Sequence, residues 1–100
     1  MKYEVGSMKY YNWVLEQARR YVEMRALNID FLGGENSRLY GAGAFDSMQL
    51  VDFIMFIEDA FFEEYGKRIL LADGEAFSQR RSPYLNLGSF AAFLLQKADA

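Results

Sequence analysis

The stretch Asp46-Ser47-Met48-Gln49-Leu50-Val51-Asp52-Phe53-Ile54-Met55-Phe56-Ile57-Glu58-Asp59-Ala60-Phe61-Phe62-Glu63-Glu64-Tyr65-Gly66 is the most informative in the chain. At roughly 100° per residue, Leu50, Phe53, Ile54, Ile57 and Phe61 share one face. Asp46 and Ser47 are both good N-cap residues, and Gly66 is a natural left-handed stop. The spacing predicts a helix over 46–65 with those five side chains in the core. The opposite side carries Met48, Asp52, Met55 and Asp59, with Val51 and Phe62 nearby. Solvation alone does not call for such a mixture of carboxylates and apolar groups.

On the N-terminal side, residues 8–27 contain no Gly or Pro and are rich in helix formers. Tyr11, Val14, Leu15, Ala18 and Val22 form an apolar stripe that predicts a first helix; Trp13 fits core or rim. Residues 1–7 have no pattern, and Gly6-Ser7-Met8 reads as a tag remnant ahead of a start at Met8, so the expected domain is 8–98. Residues 28–45 hold four glycines, Asn36 and Ser37, and lose all periodicity. They predict a long loop anchored by Ile29, Phe31, Leu32, Leu39 and Tyr40, and a loop of that length in a small domain tends to be functional.

On the C-terminal side, residues 67–86 are irregular, with Ile69, Leu70 and Leu71 as anchors and one short helical turn over 73–78 capped by Asp73. Residues 87–97 predict a last helix: Asn86 as cap, Ser89 three residues on, and a stripe of Leu87, Phe90, Ala91 and Leu94. No alternation of strand type and no internal repeat interrupts the pattern. The prediction is an all-α bundle of three main helices and a short one before the last.

With 100 residues, 52% hydrophobic and 17% aromatic, the chain has room for one core and is no disordered tail. It contains no Cys and no His. That excludes a disulfide scaffold, a thiolate metal site, a cysteine nucleophile and a Ser-His triad. No carboxylate pair has a forced spacing, so no enzyme activity is expected. Asp73-Gly74-Glu75 lacks the twelve-residue pattern of a calcium loop. A net charge of −3 argues against general nucleic-acid binding. No apolar run reaches the ~18 residues that cross a bilayer, and no secretory pattern opens the chain. The expectation is a soluble, cytoplasmic, monomeric domain.

The charge is uneven. Residues 45–65 hold Asp46, Asp52, Glu58, Asp59, Glu63 and Glu64 and no basic residue, hence −6; the rest of the chain, with 11 basic and 8 acidic residues, carries +3. Like-charge pairs such as Asp59 and Glu63 cost a few tenths of a kcal/mol each. A positively charged partner would offset that cost, since complementary fields raise on-rates and select partners.

Gly43-Ala44-Phe45-Asp46-Ser47-Met48, a Gly-bearing loop entering an acidic amphipathic helix, resembles the prosthetic-group site of the acyl carrier protein family, including its peptidyl and D-alanyl carriers. Asp46, Ser47 and Met48 match that family's Asp-Ser-Leu/Met/Ile motif position by position, and the likeness extends over residues 8–98. The resemblance implies a four-helix bundle with a long first loop and a short third helix. It implies Ser47 as the attachment point of 4′-phosphopantetheine, Asp46 as a residue that presents it, and Met48, Asp52, Met55 and Asp59 as the face met by partners. Those partners are a phosphopantetheinyl transferase, an acyl or aminoacyl ligase, and downstream transferases with basic patches. Two departures stand out: bulky Phe45 where fatty-acid carriers have a small residue, and the long segment 72–84. The first looks more like the aminoacyl-type carriers.

The chemistry asks for one exposed hydroxyl, fixed in space, at a helix start. A phosphodiester there meets the positive end of the helix dipole for ~0.3–1 kcal/mol, so accessibility matters more than the dipole. The transferase brings the base and the metal, in keeping with a chain that has no His. The simpler reading of Ser47 and Asp46 is capping alone, and that of Glu63 and Glu64 is solvation. Phe53, Phe56, Phe61, Phe62, Phe77, Phe90 and Phe93 predict a crowded core, hence a small, aminoacyl or exposed cargo rather than a buried acyl chain. The alternative function is an unmodified adaptor whose acidic, Met-bearing face binds a basic protein.

Overall fold

A computed structural model describes residues 5–41, 43–72 and 83–99. Regular structure among them is helical: α1 (Val5–Met24), a 3-10 turn (Gly34–Asn36), α2 (Ser47–Tyr65) and α3 (Leu87–Ala98). Two isolated bridges, Arg38 with Asn86 and Tyr40 with Phe45, are the extended pairings seen. The fold is thus a small helical bundle, with the three main helices where periodicity puts them. The short turn expected over 73–78, Asp73-Gly74-Glu75 and Phe77 lie outside the described residues.

α1 differs from expectation at both ends. It begins at Val5 rather than Met8, so residues 5–7 are helical and not a structureless leader. The first N–H groups of a helix need no intrahelical acceptor, which makes Gly6 and Ser7 tolerable in the opening turn. It ends at Met24, where Ala26 adopts a left-handed φ of 54°. The Leu27 N–H donates to the Val22 carbonyl at 2.9 Å and the Ala26 N–H to the Glu23 carbonyl at 3.2 Å. This is a Schellman ending built without glycine.

The core face of α2 is the expected one, with Leu50, Phe53, Ile54, Ile57 and Phe61 all buried. So is that of α3, where Leu87, Phe90, Ala91 and Leu94 are buried. The stripe of α1 is rotated. Val14 and Ala18 are buried, but Gln17 and Tyr21 join them, while Tyr11, Leu15 and Val22 are half-buried. A buried tyrosine needs a partner for its hydroxyl, and Asp52 on α2 supplies it. Trp13 lies at the rim, edge-on to Phe61 and Tyr65 with centroids 5.8 and 5.9 Å away.

α1 packs most closely on α3 and less on α2. The long loop is tied to the start of α3: the Leu39 N–H donates to the Leu85 carbonyl at 2.9 Å, and the Leu87 N–H to the Ser37 carbonyl at 3.0 Å. Phe31 and Leu39 anchor it in the core, whereas Leu32, 84% exposed, and Tyr40 do not, contrary to expectation. Leu32 falls in the turn ahead of the 3-10 element and faces outward. After α2 the chain has no regular structure; there Leu71 is buried and Leu70 is exposed.

Candidate functional site

Ser47 is the first helical residue of α2. The cap belongs to its neighbour: Asp46 Oδ1 accepts the Gln49 N–H at 2.8 Å, and Gln49 Oε1 accepts the Asp46 N–H at 3.0 Å. This reciprocal box satisfies the helix start without Ser47. Ser47 is exposed, and its hydroxyl makes no hydrogen bond among the described residues.

The approach to Ser47 is anchored in the core by Phe45. Its ring is fully buried, with centroids 5.0 Å from Phe53, 5.5 Å from Tyr21 and 6.2 Å from Phe31. Phe45 immediately precedes the cap and Leu50 is the fourth helical residue; both are buried, the arrangement of a hydrophobic staple. The Phe45 N–H donates to the Leu39 carbonyl at 2.9 Å, and the Phe45 carbonyl accepts the Gly41 N–H at 3.1 Å. Gly43, at φ 79°, has open space where a side chain would stand. The result is a bare loop edge beside an exposed hydroxyl at the N-terminus of a 19-residue helix. The hydroxyl is reachable, and a helix end of this kind favours an attached anion.

The expected partner face divides in two. Met48, 83% exposed, and Met55, 54% exposed, project from α2. Val51 and Phe62 are also exposed, so the four line one side of the helix. The two carboxylates are engaged within the chain. Asp52 Oδ2 accepts the Tyr21 hydroxyl at 2.6 Å and lies 3.1 Å from Arg25 Nη2. Asp59 Oδ1 lies 3.5 Å from Arg68 Nη1. Glu58, another of the acidic residues, accepts the N–H groups of Leu71 at 2.6 Å and Ala72 at 3.2 Å, holding the chain beyond α2. Burial, then the Asp52 carboxylate, pushes the Tyr21 phenol up to about 12.

Sequence reading missed Tyr21, Arg25 and Arg68 as parts of this face. Arg25 lies one helical turn beyond Tyr21, a weak signal; Arg68 sits in an irregular segment with no signal at all. A groove of about 510 Å³ runs between α1 and α2, lined by Trp13, Gln17, Arg20, Phe56 and Glu63 among others. Phe56 stands half a helical revolution from Ser47, but Asp59 also lines the groove, which therefore borders the expected partner face. Phe62, placed by the sequence both beside the Met48–Met55 side of α2 and among the core aromatics, is on the surface. Among the described residues no helix is long and apolar enough to cross a membrane, and no His, Cys, Asp or Glu cluster is placed to hold a metal. Compared with known proteins, the chain matches no family model, no curated protein and no solved structure.

Proposed function

We propose that this chain is a carrier protein bearing 4′-phosphopantetheine on Ser47 and delivering a thioester-bound acyl or aminoacyl group to partner enzymes. One observation carries the reading: Asp46 caps α2, leaving the Ser47 hydroxyl exposed and unused beside an open glycine edge. A serine retained only to cap a helix would be bonded to a backbone N–H. In this reading Ser47 is the acceptor hydroxyl, Asp46 fixes its position, and the transferase brings base and metal. The arm, once attached, supplies the thiol that holds the cargo. The first N–H groups of α2 favour the phosphodiester electrostatically. The fully buried aromatic cluster of Phe45, Phe53 and Phe90 favours a small or exposed cargo over a long chain between the helices.

Intact mass after incubation with coenzyme A and a broad-specificity phosphopantetheinyl transferase tests this. The expected result is a gain of one phosphopantetheinyl group, lost in Ser47→Ala. A folded chain that gains nothing removes the carrier reading. It would favour the adaptor, for which the exposed Met48, Met55 and Phe62 are the supporting observation.

A further inference from the structure

Two constructions of the same kind line one edge of the exposed side of α2. Arg25, just beyond α1, lies 3.1 Å from Asp52, with its guanidinium carbon 5.5 Å from the Tyr21 ring centroid. Arg68, just beyond α2, lies 3.5 Å from Asp59 and 4.2 Å from the Phe62 ring centroid. Each guanidinium is therefore held twice, by a carboxylate and by an aromatic face. Both pairs are open to solvent, so they add little stability. Their effect is on the field. A charge and its counter-charge separated by far less than the ~8 Å screening length at physiological salt cancel for an approaching molecule.

Along the other edge of that side run Met48, Val51, Met55 and Phe62. The intervals of three, four and seven residues align them in one straight stripe. The stripe begins one residue from Ser47. A second copy is a poor occupant, because pairing α2 with α2 opposes the two acid-rich segments, in which Glu63 and Glu64 remain exposed.

We propose that Arg25 and Arg68 are specificity-determining residues. By cancelling Asp52 and Asp59 they make the Met48–Val51–Met55–Phe62 stripe a docking site for an apolar, weakly charged surface on the enzyme that reaches Ser47, and they turn strongly basic surfaces away. This rests on the carrier reading and narrows its partner, away from the basic patches that the acidic helix implies.

Two measurements test it. The first uses a fluorescent decalysine peptide and anisotropy at low salt, and needs no modification of Ser47. The double variant Arg25→Gln/Arg68→Gln binds about tenfold more tightly than wild type. The double variant Arg19→Gln/Arg38→Gln, with the same net charge but altered at residues that neither pair with an α2 carboxylate nor line the groove beside α2, gains less than about twofold. Equal gains in both, or none in the first, overturn the proposal. The second follows the rate of phosphopantetheine transfer against chain concentration. Met48→Ser/Met55→Ser raises KM about tenfold with kcat unchanged, and the wild-type rate changes less than about twofold up to ~0.5 M salt. A steep fall with salt overturns the proposal and leaves the carrier reading standing. No transfer to folded wild type removes the carrier reading and this choice of partner with it, while the decalysine comparison still decides the charge cancellation.

Discussion

Ala26 stands where a helix ending asks for glycine. Its φ of 54° is in the left-handed region, which disfavours any side chain with a Cβ. Ala26→Gly is expected to stabilise the protein by about 0.5–1 kcal/mol, read as a higher urea midpoint with unchanged slope; a lower midpoint would show that the Cβ contributes packing there. Tyr21 carries a different kind of stored preference. Its folded pKa of about 12 exceeds the ordinary 10, so the protonated phenol is the form the fold favours. The stability this contributes is complete below pH 10 and is lost as the pH rises towards 12. Relative to Tyr21→Phe, wild type should lose about 2 kcal/mol across that window. Urea unfolding of both proteins at neutral and strongly alkaline pH checks it; a gap that stays constant with pH would mean the phenol is not held protonated by the fold.

At α2 the question is how the helix start divides its duties. Asp46 closes the capping box with Gln49, so Asp46→Ala should cost about 1 kcal/mol, whereas Asp46→Asn caps equally well and should cost only a few tenths. That pair of variants separates holding the helix from presenting Ser47. If Asp46→Asn keeps the melting temperature and slows phosphopantetheine transfer at least about tenfold, the carboxylate itself meets the transferase. An unchanged transfer rate would make Asp46 a cap and nothing more. The same helix shows why a carboxylate count overstates a surface field. Of six acidic residues, Asp46 caps, Glu58 holds Leu71 and Ala72, and Asp52 and Asp59 sit beside arginines, which leaves Glu63 and Glu64 as the exposed remainder.

Across the assembled bundle, Phe45 is the residue through which loop, α1 and α2 meet. It touches Tyr21, Phe31 and Phe53, and its backbone is bonded to Leu39 and Gly41. Phe45→Ala should cost about 3–5 kcal/mol, where ~5 kcal/mol is the whole stability of many small domains. Phe45→Leu should cost less and leave transfer to Ser47 near wild type. Urea unfolding measures the first and the transfer assay the second. A loss under about 1 kcal/mol in Phe45→Ala would mean that the aromatic cluster does not hold the loop. The bulk of Phe45 thus has a structural role two residues from the candidate attachment point, in addition to any bearing on cargo class.

Much was legible in the linear order of residues. The core faces of α2 and α3, the Asn86–Ser89 box and the Gly66 stop depend on neighbours within a turn or two, where helical geometry is periodic. The exposed hydroxyl at the start of α2 follows from the same local rules once Asp46 takes the cap. The rotation of α1 towards Tyr21, the burial of Phe45, and the pairing of Arg25 and Arg68 with carboxylates on α2 have no such signature. Each joins segments whose relative placement comes from packing. A buried phenol is tolerable only if another helix brings it an acceptor, and a surface charge is cancelled only if a loop returns an arginine to it. Contacts of that kind exist once the chain has closed on itself, and the charge of the α2 face was set there.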